Sequence, residues 1–224
     1  MFKKLYFGVR RAIKRIVKSK QEIRHSHVGA PNVWKYTRTF QFQFLKEQGL
    51  QKTDTLMDIG CGTLRGGIPL IDYLDTGNYY GMDIRDAILD EGRDEIRTAK
   101  LQGKKPHLIS FNQFSEVELD VKFNVMFAFS VLIHFEDQIA ESCFQFVSKC
   151  LATEGVFFAN VNMADFKDGT WLEFPVVFRS HEFYNNLAVK NGMTLEVIGD
   201  LISLGHDTGK NSDRQQIMLK FTKV

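Results

Sequence analysis

The 224-residue sequence predicts an α/β chain of the doubly wound kind, and three observations carry that reading. Residues 53–83 hold a strand, a glycine-rich turn, a helix and a second strand ending on an acid, which is one βαβ nucleotide-binding unit. Strand-like and helix-like stretches then alternate to the C-terminus, and seven stretches read as strands. Residues 1–24 differ from everything that follows in both charge and periodicity. The expected organisation is therefore an extension and linker over residues 1–32 and a single domain over residues 33–224.

The extension holds nine of the 29 Lys and Arg against one acid, Glu22, for a net charge of +8. The remaining residues carry a net −6, so the overall +2 hides two opposed charge regions. Phe2, Leu5, Tyr6, Val9, Ile13, Ile16 and Val17 recur at steps of three or four and form one apolar stripe on a helix. A basic amphipathic helix of this kind suits an anionic membrane surface. Docking on its own domain, fraying in solution and an organelle transit peptide are the alternatives. Charges interrupt any apolar core, which argues against a secretory signal, and no run is long enough for a membrane span. The expected location is cytoplasmic, peripheral on the inner membrane face. Cys61, Cys143 and Cys150 are widely spaced without metal-ligand grouping, so free thiols are expected.

His25–Asn32 reads as a linker. Val33, Tyr36, Phe40, Phe44 and Leu45 then follow helical spacing to a stop at Gly49. Thr55–Ile59 is the first strand, and Gly60, Gly62, Gly66 and Gly67 supply the sharp turn into a helix over Ile68–Leu74. A second strand, Asn78–Met82, ends on Asp83. A charged helix spans residues 86–100, and Pro106 opens a third strand, His107–Phe111, that delivers Asn112. The fourth strand starts at Phe123, a helix covers Glu136–Leu151, and Gly155 is expected to turn into a fifth strand at Val156–Val161. Residues 163–180 are too long and aromatic for a plain connector and read as a lid with Trp171 and Phe174 as pocket walls. Ser180 N-caps a helix, and Thr194–Ile198 and Gln215–Phe221 make the last two strands. The loop His206-Asp207-Thr208-Gly209 between them says little.

The ligand of the βαβ unit follows from charge. A dinucleotide fingerprint would place its third glycine where this chain has Arg65, and an acid, Asp58, stands two residues before the first glycine. A carboxylate there repels a pyrophosphate and attracts an ammonium group. S-adenosylmethionine (SAM) carries an amino acid and no phosphate, so it fits better than a nicotinamide dinucleotide. Asp83, twenty-one residues beyond Gly62, can accept hydrogen bonds from both ribose hydroxyls.

Asp58-Ile59-Gly60-Cys61-Gly62 together with Asp83 resembles the first two motifs of the class I SAM-dependent methyltransferases. Phe123–Phe135 is similar to that family's fourth-strand motif and Gly155–Asn160 to its fifth strand, and the resemblance spans roughly residues 33–222. It implies a Rossmann-like, mostly parallel seven-stranded sheet with an antiparallel last strand. It also implies cofactor contacts at Asp58, Gly60, Cys61, Gly62, Asp83, Ile84, Asn112 and Ser130, with Ser110 competing with Asn112 for the adenine. The helix before the first strand would lid the cofactor, making Trp34, Tyr36, Arg38 and Gln41 pocket candidates, with Phe40 and Phe44 as core. Two departures stand out: Leu64 replaces a frequent third glycine, and Asn124 replaces a frequent Asp.

In the family's fold His134 would face the donor methyl from just beyond the fourth strand, which makes it the candidate general base; a packing or capping role is the alternative. His181, His206 and Glu136 are weaker candidates, and no metal set appears. The expected activity is methyl transfer from SAM to a small-molecule, glycan or lipid-linked acceptor at oxygen or nitrogen. A non-catalytic SAM-binding or scaffold module is one alternative. An RNA methyltransferase using the basic arm is another, although the acidic body argues against nucleic acid.

Overall fold

The computed structural model describes residues 33–210 and 212–224. The basic helix expected over residues 1–24 and the linker after it lie outside the described residues. From the N-terminal side, helix α1 (Trp34–Glu47) precedes strand β1 (Leu56–Ile59), helix α2 (Gly67–Tyr73), strand β2 (Tyr79–Asp83) and helix α3 (Asp86–Thr98). Strands β3 (His107–Ser110) and β4 (Phe123–Ala128), helix α4 (Asp137–Cys150) and strand β5 (Leu151–Asn162) follow. A short pair, β6 (Gly169–Trp171) and β7 (Phe174–Val176), leads to helix α5 (His181–Lys190), strand β8 (Met193–Asp200), the short helix α6 (Ser212–Gln215) and strand β9 (Gln216–Lys223).

The seven-stranded sheet has the order β3-β2-β1-β4-β5-β9-β8. All pairings from β3 to β5 are parallel, and β9 runs antiparallel to both β5 and β8. The chain winds outward from β1 to β3, then crosses back to lay β4 on the other side of β1. That reversal opens a crevice at the carboxyl ends of β1 and β4. Both faces of the central strands are covered, which is why they read as mostly apolar runs. Met57, Ile59, Met126 and Ala128 enter one core cluster with Phe144, Val147 and Tyr184. Leu56, Val125 and Phe127, offset by one residue, enter a second with Phe44, Leu70 and Leu89.

Phe40 and Phe44 are core, as their spacing predicts; Phe44 meets Phe127 and Phe158 at ring-centroid distances of 6.3 and 5.3 Å. Asn124 keeps a strand-edge role, its side-chain oxygen accepting the Thr55 amide at 2.9 Å. Ser180 caps α5 by accepting the Phe183 amide at 3.2 Å. Gly155 departs from expectation. It makes no turn, because β5 starts directly at Leu151 and runs through it. A Cβ there would stand 2.7 Å from the Phe123 carbonyl oxygen, so the glycine serves close strand approach. The aromatic stretch after β5 folds as the β6–β7 hairpin. Among the described residues no helix is long and apolar enough to cross a membrane, and all three cysteines are free and buried.

Candidate active site

A cavity of about 890 Å³ occupies the crevice, near the upper end of the usual range for small-molecule sites. Its floor is the turn after β1. Gly60 and Gly62 have φ of +69° and +55°, a left-handed backbone that costs glycine nothing. A Cβ on Gly60 would stand 2.4 Å from a Val131 methyl. Leu64 also adopts φ +64°. The loop thus holds, at the replaced third glycine, the conformation a glycine would take. Its fully buried side chain packs where Cβ atoms on Gly67 and Gly92 would otherwise go, and this packing offsets the backbone strain.

Eight residues expected at the cofactor line this cavity, Asp58, Gly60, Cys61, Gly62, Asp83, Ile84, Asn112 and Ser130, and His134 does as well. Ser110 and His181 do not line it, while Glu136 does. Asp58 accepts the Tyr79 hydroxyl at 2.7 Å. Burial raises its carboxyl to about 7, opposed by the Tyr79 bond and the Arg65 charge and reinforced by Asp83. Asp83 already takes the Gly62 amide on Oδ2 at 3.1 Å and the Arg85 amide on Oδ1 at 3.1 Å. The Arg85 Nε is further off, at 3.3 Å. A carboxylate has about four acceptor positions, so Asp83 keeps room for a hydroxyl on Oδ2. Cys61 is inert, since burial pushes its thiol well above the usual range.

Ser130 sits at φ +59° beyond β4, held there by its amide donating to the buried Asn160 side chain at 2.6 Å. Asn160 in turn donates to Gln216 on β9 at 2.7 Å. His134, in a 3-10 turn four residues on, has Nδ1 2.6 Å from the Pro175 carbonyl oxygen of β7. That carbonyl accepts only, so Nδ1 carries the hydrogen and Nε2 is left with a lone pair. Burial lowers the imidazole pKa and the Pro175 bond opposes this, so the ring is neutral at pH 7. Trp171 stacks on it at 6.0 Å and Phe174 lies at 5.6 Å.

The hairpin carrying those aromatics is tied down by Arg179, which donates to Asp168 at 2.7 Å and to Asp137 at the start of α4, also at 2.7 Å. The α1 candidates divide. Gln41 reaches the cavity, as does Thr37, which the sequence did not single out. Trp34 and Tyr36 do not line it, and Arg38 lies in a separate groove with Ile68 and Asp72. Helix periodicity explains the split, because Thr37 and Gln41 are four apart and share a face. The largest surprise is His206. It is 5% exposed, lies on the cavity wall and packs against Tyr36, Phe40 and Phe129. Its loop is pinned to α1 by the Tyr36 hydroxyl, which donates to the Gly205 carbonyl at 2.6 Å. Only the 169-residue separation of these partners hid it. Among the described residues no cluster of His, Cys, Asp and Glu could hold a metal ion.

A family model described as a methyltransferase domain matches residues 57–157. An uncharacterised methyltransferase of Schizosaccharomyces pombe is 28% identical over 121 residues, which are 51% of this chain and 42% of that protein. The chain thus aligns with less than half the length of that curated relative. Magnesium protoporphyrin IX methyltransferase from Synechocystis PCC 6803 with bound SAM superposes at a TM-score of 0.65 and 13% identity, over 93% of this chain and 86% of that one. A SAM-dependent methyltransferase from Clostridium acetobutylicum gives 0.63 and 15%, covering 99% and 98%. A glycopeptide N-methyltransferase complexed with S-adenosylhomocysteine gives 0.64 and 12%, covering 84% and 90%.

Proposed function

We infer that this chain is a class I SAM-dependent methyltransferase, an enzyme that moves a methyl group from SAM to an oxygen or nitrogen of a small-molecule, glycan or lipid-linked acceptor; the methyltransferase-domain model over residues 57–157 supports this. The observation that carries the reading is the coincidence in one cavity of the glycine cradle, Asp58 and Asp83. The residues suit SAM: the left-handed glycines keep the turn's backbone bare at the cavity floor, Asp83 keeps an acceptor position for ribose, and Asp58 suits an ammonium. Ile84, Asn112, Ser130 and Cys61 line the same cavity and would hold the rest of the cofactor. Bound SAM supplies an electrophilic methyl on a sulfonium, which needs an aligned nucleophile and little else.

The chain's own part is alignment, water exclusion and handling of one proton. Trp171, Phe174 and Phe178 wall the acceptor side beneath the hairpin. His134 Nε2 accepts the acceptor's proton while Nδ1 stays anchored to Pro175, and a neutral imidazole at pH 7 is suited to that. Exposed Ile84, Ile139, Trp171 and Leu172 lie at or beside the mouth. They favour an acceptor carrying apolar mass, and with the basic residues 1–24 they support a cytoplasmic enzyme working at an anionic membrane face. Mass spectrometry of ligand carried through purification tests the core of the reading. SAM or S-adenosylhomocysteine should be found, and calorimetry showing NAD binding without SAM binding would overturn it.

A further inference from the structure

The end of the cavity beneath α1 holds more chemistry than the reading above uses. Asp58, Arg65 and His206 all line it. The Arg65 charge acts on both of the others. The guanidinium stays cationic, since burial lowers its pKa only to about 10. His206 reaches this corner from the loop between the last two strands and is anchored by Nε2, 3.1 Å from the Thr37 hydroxyl. Its Nδ1 is buried with no hydrogen-bond partner. Native proteins rarely leave a buried polar atom unsatisfied, because the desolvation cost goes uncompensated. A ring that lines a ligand cavity and keeps one nitrogen unspent is placed to spend it on the ligand. If Thr37 donates to Nε2, the ring hydrogen sits on Nδ1, and that nitrogen becomes a donor.

With that tautomer the corner presents one carboxylate, one fixed cation and one neutral donor. That is the complement of an α-amino acid zwitterion. We propose that Arg65 and His206 hold the α-carboxylate of the cofactor's methionine moiety while Asp58 takes its ammonium. The loop between the last two strands is then part of the cofactor site. The inference rests on the methyltransferase reading and adds a selectivity to it. The site prefers ligands that keep the amino acid over those that present adenosine and sulfur alone. Arg65 stands where a dinucleotide-binding turn has its third glycine, so the same residue that excludes one cofactor recognises the other.

The test compares two ligands by calorimetry: S-adenosylhomocysteine and 5′-methylthioadenosine, which lacks the amino acid. The wild-type chain should bind the first more tightly. Arg65→Met and His206→Phe, the latter keeping a ring for Tyr36 and Phe40, should each weaken S-adenosylhomocysteine about tenfold to a hundredfold. Methylthioadenosine affinity should not move, which also shows that the variants fold. Arg65→Lys keeps the charge and should recover part of the loss. Unchanged S-adenosylhomocysteine affinity in both variants, or equal losses for the two ligands, would overturn the assignment. A wild-type chain that binds neither ligand would instead overturn the methyltransferase reading, and this inference with it.

Discussion

Replacing Tyr79 by Phe removes one hydroxyl that points at Asp58 from the adjacent strand, and its effect on cofactor affinity can be worked out beforehand. The bond is 2.7 Å long, both residues are buried, and it favours the ionised carboxylate. Hydrogen bonds to charged groups contribute about 1.5–3 kcal/mol, equivalent to roughly one to two pKa units. The Asp58 carboxyl, at about 7 in the wild type, should therefore titrate near 8 or 9 in the variant. Ammonium binding requires the ionised form. The wild type is about half ionised at pH 7, and the variant only about 1–10%. Affinity for S-adenosylhomocysteine at pH 7 should thus fall about five- to fiftyfold. The sign is fixed: the loss shrinks as pH rises toward 9 and grows as pH falls toward 6. Calorimetric titrations of both proteins from pH 6 to 9, with Asp58→Asn to subtract titration of the ligand itself, read this out. A Tyr79→Phe loss that stays constant with pH, or no loss at all, would mean that Asp58 does not titrate against the ligand.

Asp83→Ala should weaken SAM by about 1.5–3 kcal/mol in equilibrium binding; an unchanged dissociation constant would place the ribose elsewhere. His134→Ala should lower turnover while sparing SAM affinity. Because burial lowers the His134 pKa from 6.5, wild-type turnover should be flat above neutrality and fall only as pH drops below 6.5, whereas a variant with full turnover across that range would reduce His134 to a packing residue. Gly60→Val should abolish binding in a folded protein, since the backbone there is left-handed and a Cβ meets Val131 at 2.4 Å. Normal affinity in that variant would show that the turn does not cradle the ligand. The full chain should co-sediment with vesicles containing anionic lipid, less so as salt rises, and a chain shortened to start at Ser26 should not. Equal pelleting of the two would remove the membrane proposal.

The strands of the main sheet and the glycine turn were legible in the sequence because each rests on local rules. Thr55–Ile59 is short, mostly apolar and partly β-branched, and so reads as a buried strand. Gly60 and Gly62 stand where the backbone turns left-handed, and Asp83 ends the next strand. Leu64 shows where local rules stop. Its positive φ is held by packing against Gly67 and Gly92, and φ preference alone would have argued against it. The split among the α1 residues is of the same kind, since which helix face meets the cavity depends on how α1 lies across the sheet. Arg65 was visible only as a glycine that was missing, and His206 as a weaker general-base candidate on a polar loop. The Thr37 hydroxyl that fixes His206 lies 169 residues away in the chain, and the Tyr36 ring that stacks on it is the residue before Thr37. The carbonyl that sets the His134 tautomer lies 41 residues on, in a hairpin. Local sequence therefore determined the frame and the glycine turn, because backbone geometry and strand burial are short-range. Tertiary structure alone decided which polar side chains share the cavity, because that depends on how the β6–β7 hairpin and the last loop pack around it.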